Sequence, residues 1–173
     1  MEIVTLTPET LHTLPFLMEK VYHARKAEFI DRLRWDIPPS VNIETDQYDV
    51  LGTHVIATDG LELPPNGPLL GYMRLLPTTG PHMLANEAAF ADLCDAAPRG
   101  PEIWEVTRLF ILKRNNEVAP LMRDYLRAWA HANGVDRFIL ETDKFVLARI
   151  EKWGWNTQII SKPDAQWPVV IIK

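Results

Sequence analysis

The sequence predicts an α/β (α+β) three-layer sandwich, a mixed β-sheet with helices on both faces. Strand-like runs come first and close together, at 53–60, 69–77 and 102–111. A strongly periodic helix then begins at Val118, and a strand and a further helix follow it at 135–142 and 143–153. Antiparallel neighbours followed by a helical crossover give a sheet of mixed direction. At 173 residues, 47% hydrophobic, the chain has no Gly/Ser-rich break, so residues 1–173 are expected to form a single domain. A chain of that length buries roughly two thirds of its unfolded surface around one core.

EIVTL (2–6) alternates as a short strand. Thr7-Pro8 then supplies an N-cap with proline at the first helical position, and Leu11, Leu14, Leu17, Met18 and Val21 recur at helical spacing toward Phe29 and Leu33. Pro15 is the one residue that would divide this helix, and IPPS (37–40) ends it. THVIATDG and LLGYMRLLP read as a hairpin joined through LPPNGP. A short helix is expected near Glu87 to Leu93, and the loop APRGP leads into EIWEVTRLFI (102–111). Val118, Leu121, Met122, Tyr125, Leu126, Trp129 and Ala130 mark one helix face, closed by Gly134. Gly154 ends the following helix, and WNTQII and WPVVIIK supply two last strands.

Composition narrows the function. A net charge of −5 without a Lys/Arg cluster argues against nucleic acid, and no apolar run approaches the ~18 residues of a membrane span. The start, MEIVTLTPET, has no basic and apolar leader, and Cys94 is the single cysteine, so a reducing cytoplasmic location is expected. The five histidines show no metal-binding spacing, so no metal site is expected. His82 reads as an ordinary loop histidine and Cys94 as a small packing residue.

Charge in strands is the informative anomaly. LLGYMRLLP is apolar on both faces yet carries Arg74, and the third strand carries Glu105 and Arg108. A buried arginine keeps its charge and must meet carboxylates. ETDQYD (44–49) offers Glu44, Asp46 and Asp49, and Arg25 adds a third guanidinium. The expected cluster sets Arg25, Arg74 and Arg108 against Asp46, Asp49 and Glu105. An offset of three points Glu105 and Arg108 to opposite faces of a regular strand, so either they serve different faces or a bulge realigns them. The bulge is the preferred reading, because a strand that splays there also opens a cleft.

RKAEFIDRLRW (25–35), ETDQYD (44–49), GYMRLLPTTGPHML (71–84), Phe90 and WEVTR (104–108) together resemble the acyl-homoserine-lactone synthases, the LuxI-type autoinducer synthases of bacterial quorum sensing. The resemblance implies a GNAT acyltransferase-like fold with a splayed sheet. It implies acyl transfer from acyl carrier protein or acyl-coenzyme A to the amine of S-adenosylmethionine, then lactone closure with loss of methylthioadenosine, without metal or redox cofactor. It assigns catalytic roles to Glu105 as general base and to Arg74 and Arg108, with the backbone of 104–108 as oxyanion donor. It places Arg25, Phe29, Trp35, Asp46, Asp49, Phe90, Thr107 and Thr142 at the substrates, with Met83, Leu84, Leu109, Phe145 and Leu147 along an acyl tunnel. Lys113, Arg114, Arg123 and Arg127 are the nearest approach to a basic docking surface for acyl carrier protein. Thr107 and Leu109 depart from the family's usual Ser and aromatic residue around the arginine. The alternative is a GNAT-like acyl-CoA-dependent N-acyltransferase acting on another amine, although no Q/RxxGxG/A phosphate loop is present.

Overall fold

A computed structural model of the chain describes residues 1–37, 42–60, 68–112, 117–165 and 167–173. Strand β1 (Glu2–Leu6) pairs antiparallel with β2 (Thr53–Thr58), from Glu2 opposite Thr58 to Leu6 opposite His54. Between them the helical segment differs from the sequence expectation. Thr7 accepts at its carbonyl from the Thr10 and Leu11 N–H groups, a short 3-10 turn spans Leu11–Thr13, and helix α1 begins only at Pro15, running to Arg25. Proline suits that first position because it has no N–H to leave unsatisfied and its φ is already helical.

From Lys26 to Arg32 the helical path widens into a π-helix, with the Leu33 N–H bonded to the Glu28 carbonyl five residues back. Such segments are rare and short in most proteins and concentrate at functional sites.

Strand β3 (Leu69–Pro77) is β2's other neighbour in the sheet; the expected turn at 61–67 lies outside the described residues. The expected short helix forms earlier than its sequence suggests, as α2 (Met83–Asn86) followed by a 3-10 turn at Ala88–Phe90, with extended Glu87 between them. Strand β4 (Ile103–Ile111) and helix α3 (Val118–Asn133) follow. Gly134, at φ 66, closes α3 by letting the Val135 N–H reach the Ala130 carbonyl. Strand β5 (Arg137–Glu141) leads to α4 (Lys144–Lys152), whose first N–H groups at Phe145 and Val146 donate to the Asp143 carboxylate. The strands β6 (Thr157–Ile159) and β7 (Val169–Ile172) complete the sheet, in the order β1-β2-β3-β4-β5-β7-β6.

Direction within the sheet is mixed, as expected from the crossover. β4 and β5 are parallel, whereas β5 with β7 and β6 with β7 are antiparallel. The parallel pairing lasts only three residues, from Ile103 opposite Arg137 to Glu105 opposite Ile139. Leu140 and Glu141 pair onward with β7 alone, so β5 parts from β4 just past Glu105.

The chain divides into two compact units, one of residues 1–74 and 108–122, the other of 75–107 and 123–173. In the first, Val4, Leu17, Val21, Phe29, Ile56, Tyr72 and Phe110 form the apolar core. In the second, Leu84, Leu93, Ile103, Ile139, Val169 and Ile171 do so. Among the described residues no helix is long and apolar enough to cross a membrane.

Gly71 fixes how closely β3 lies under α3. A Cβ there would stand 2.7 Å from Met122 Sδ, 3.2 Å from the Phe110 carbonyl oxygen and 3.3 Å from Val118 Cγ1. Gly71→Ala is therefore expected to lose about 1–3 kcal/mol by overpacking. Urea unfolding read by circular dichroism checks this, with a lower midpoint expected.

Candidate active site

Three guanidiniums and three carboxylates meet in the first unit. Arg25, at the end of α1 and 0% exposed, donates through Nε to Glu44 Oε2 at 2.5 Å and through Nη1 to Asp49 Oδ1, with Nη2 at 3.5 Å from Asp46 Oδ2. Arg74, in the middle of β3 and equally buried, reaches Asp46 Oδ1 and Asp49 Oδ1 at 2.5 and 2.6 Å and Asp46 Oδ2 at 3.0 Å. Arg108, on β4, donates through Nη2 to Glu44 Oε1 at 3.0 Å and to Asp46 Oδ2 at 3.1 Å. Glu44 thus joins Asp46 and Asp49 on the arginines, a carboxylate the expected cluster did not include. Glu44 was visible in ETDQYD, but nothing local distinguishes it from a solvated acid; only its approach to Arg25 and Arg108 does.

The acidic segment is partly organised by its own atoms. The Asp46 carboxylate accepts from the Tyr48 N–H and the Asp49 carboxylate from the Asp46 N–H, the local turn pattern that Asp favours. His54 on β2 fastens it. Its Nε2 lies 2.8 Å from the Asp49 carbonyl oxygen and its Nδ1 2.8 Å from the Tyr72 hydroxyl. A carbonyl only accepts, so Nε2–H donates and Nδ1 receives the Tyr72 proton. Burial pushes His54 below the ordinary histidine range and keeps it neutral. Neither His54 nor Tyr72 was singled out in the sequence, since an apolar β-strand pattern conceals both.

Electrostatics decide the ionisation state. Burial pushes the Glu44 carboxyl up, yet the hydrogen bond from Arg25 and the charges of Arg108 and Arg25 outweigh it and hold Glu44 below its usual value. At Asp46 burial is likewise outweighed, here by the hydrogen bond and charge of Arg74 together with Arg108 and Arg25. Three positive and three negative groups leave no net charge to bury.

The π-helix brings aromatic rings to one side of this cluster. Phe29 is buried and packs 4.6 Å from Trp35, centroid to centroid, and edge-on to Phe110. The Arg108 guanidinium carbon lies 5.6 Å from the Phe29 ring centre and 5.8 Å from that of Trp35. Trp35 remains 41% exposed, so one part of its ring is open to a ligand.

Strand β4 breaks its alternation where the sequence suggested a bulge. Ile103 and Glu105 are buried, then Val106, Arg108 and Phe110, a change of phase between 105 and 106. Arg108 has φ 54, a left-handed conformation that a residue with a long side chain seldom adopts. In the second unit, Glu105 accepts hydrogen bonds from the Met83 and Leu84 N–H groups at 2.8 and 2.7 Å, which orient both carboxylate oxygens. Thr107 is half-buried, and Phe90 packs partly buried on the core of Leu84, Leu93 and Ile103. Thr142, half-buried, begins the turn into α4, where its N–H donates to the Pro168 carbonyl. Met83 and Leu84 are buried, as is Leu147, but Phe145 is 83% exposed and stands on the surface of α4. Arg123 donates to Asp124 and to the Trp153 carbonyl, and Arg127 lies over Trp155 and donates to the Gly154 carbonyl. Lys113 and Arg114 lie outside the described residues.

With this geometry in place, the family follows. The family model for autoinducer synthases matches residues 10–173. The chain belongs to the autoinducer synthase family. An acyl-homoserine-lactone synthase of Rhizobium etli is 30% identical over 159 residues, covering 87% of this chain and 73% of that relative. In fold, a CoA-dependent acyl-homoserine lactone synthase, BjaI, solved with SAM and isopentyl-CoA, superposes with a TM-score of 0.86 at 20% identity, over 98% of this chain and 82% of that one. An acyl-CoA N-acyltransferase from Pseudomonas aeruginosa shares the fold more distantly, with a TM-score of 0.53 at 14% identity, covering 99% of this chain and 98% of that one. The expected GNAT-like acyltransferase fold is therefore the fold of this family member.

Two predictions follow from the cluster. Arg74→Ala strands the Asp46 and Asp49 carboxylates and is expected to lower stability by about 3–5 kcal/mol, measured by urea unfolding. Acid should act in the same direction. Glu44, Asp46 and His54 all titrate lower in the fold than in the unfolded chain, so the unfolded chain takes up protons first and acid favours unfolding. The His54 share is full above the unfolded value of 6.5 and fades as pH falls below it. The carboxylate share is full above the unfolded values of about 4.5 and 3.8 and is lost as pH falls through the depressed ones. Unfolding midpoints are expected to decline from about pH 6.5 and more steeply below about pH 4.5.

Proposed function

We propose that the chain acylates the amine of S-adenosylmethionine from an acyl-thioester and closes the product to an N-acyl-homoserine lactone, the quorum-sensing signal for which its relatives are named. The observation that carries this reading is the neutral set of buried Arg25, Arg74, Arg108, Glu44 and Asp49 with partly exposed Asp46, beside the half-exposed face of Trp35. S-adenosylmethionine carries a carboxylate, an ammonium and a sulfonium on one adenosyl frame. Arginines match the carboxylate, Asp46 with its partial exposure matches the ammonium, and an indole face attracts a sulfonium at about 0.5–2 kcal/mol.

The first step forms the C–N bond of the amide and breaks the C–S bond of the thioester, releasing the thiol of the carrier. The second forms a C–O bond from the substrate's carboxylate to its own γ-carbon as the C–S bond to the sulfonium breaks, releasing methylthioadenosine. Glu105 is the general base of the first step in this reading. Its carboxylate is held by two backbone N–H groups, which fix its orientation, and in this reading it receives the ammonium proton directly or through water. Phe90, Thr107 and Thr142 belong to the acyl side. The acyl donor is carried by acyl carrier protein or coenzyme A.

Mass spectrometry of medium from cells expressing the protein should show an N-acyl-homoserine lactone; absence of any lactone across supplied acyl-thioesters overturns the reading. Calorimetry should show S-adenosylmethionine binding, which an N-acyltransferase for another amine would lack. Glu105→Gln is expected to retain the fold and to lower kcat by about 10²–10⁴. Unchanged turnover would remove Glu105 from the chemistry.

A further inference from the structure

His82, at the entry to α2, is 0% exposed, and its Nε2 is the one buried side-chain nitrogen or oxygen among the described residues that has no hydrogen-bond partner. Buried polar atoms without partners are rare in folded proteins, because removing one from water without a replacement hydrogen bond is unfavourable. The other ring nitrogen is fixed. Nδ1 lies 3.0 Å from the Gly80 carbonyl oxygen, and a carbonyl cannot donate, so Nδ1 carries the proton and Nε2 presents a lone pair.

The surroundings hold the ring neutral. Arg99 donates to the Thr78 and Gly80 carbonyls, the second of which is His82's own partner, so its charge opposes a further proton on the imidazole. Burial, with Arg99, keeps His82 below the ordinary histidine range. Glu105 and Glu87 are the acids nearest along the chain and its contacts, and Glu105 is bound to the N–H groups of Met83 and Leu84, the two residues that follow His82. Leu84 belongs to the apolar core against which Phe90 packs. A donor that satisfies Nε2 therefore comes to a buried ring and near a guanidinium. Both conditions disfavour a cation and favour an uncharged O–H or N–H.

We propose that His82 is a specificity-determining residue whose Nε2 accepts a hydrogen bond from an uncharged donor of the bound acyl-thioester. This rests on the acyl-transfer reading above. Of the two substrates in that reading, only the thioester combines an apolar chain with uncharged donors: a hydroxyl on the acyl group, or an amide N–H in the arm that bears the sulfur.

The test compares the wild type with His82→Phe and His82→Gln, using butanoyl- and β-hydroxybutanoyl-coenzyme A. If the donor is the acyl hydroxyl, the wild type favours the hydroxylated thioester in kcat/KM by about 10- to 100-fold, His82→Phe abolishes that preference, and His82→Gln, which keeps an acceptor, restores part of it. If the donor is an arm amide, His82→Phe raises KM for both thioesters about equally, His82→Gln recovers it, and KM for S-adenosylmethionine stays put. Wild-type kcat/KM with both thioesters in both variants overturns the proposal and leaves Nε2 to a bound water. Isotope-edited NMR of the wild-type histidine nitrogens, with each coenzyme A thioester and no S-adenosylmethionine, gives a readout independent of turnover and of variant folding. A shift of the Nε2 resonance is expected, and an unmoved resonance sinks the idea. Absence of lactone alongside a shifted Nε2 would defeat the acyl-transfer reading while sparing thioester binding.

Discussion

Burying three arginines is the constraint around which the first unit is built. A guanidinium cannot shed its charge, so each of Arg25, Arg74 and Arg108 requires carboxylates at bonding distance, and each carboxylate is shared. Asp49 bridges Arg25 and Arg74, Glu44 bridges Arg25 and Arg108, and Asp46 touches all three. This sharing ties α1, the acidic segment, β3 and β4 together, four pieces of chain distant in sequence. Removing one charge leaves its partners buried and uncompensated, so the cluster behaves as a unit and not as separate pairs.

The backbone departs from regularity where it serves this constraint. Arg108 takes φ 54 where its side chain reaches Glu44 and Asp46, a conformation that costs of order 1–3 kcal/mol and persists only because its surroundings demand it. The π-helix at Lys26–Arg32 follows directly on Arg25 and carries Phe29 into the core and toward Trp35. A nucleotide-like ligand with a sulfonium needs both features, fixed opposite charges for its ends and an aromatic face for its middle.

In the second unit the same logic operates with backbone donors. Glu105 finds N–H groups at the start of α2, and this contact explains why the helix forms at Met83 and not at Glu87. Four residues form a marginal helix alone; a carboxylate from a distant strand supplies the cap. His82, immediately before them, keeps one nitrogen for its own loop and turns a lone pair into the interior.

Much of this was legible in the sequence. The strands, α3 with its apolar stripe and α4 with its Asp143 cap are set by period and by local chemistry that any neighbouring context would respect. Buried charge in Arg74, Glu105 and Arg108 was legible too, because a charged residue inside an apolar run has few physical explanations. Other features depended on contacts between remote residues. That Pro15 starts α1, that the helix widens after Arg25, that Glu44 joins Asp46 and Asp49 on the arginines, and that His54 and His82 are buried were all decided by the fold. Sequence alone determined which elements form and that opposite charges must meet inside. The tertiary structure chose the partners, because an ion pair or an orphaned lone pair depends on distance in space, and distance along the chain does not encode it.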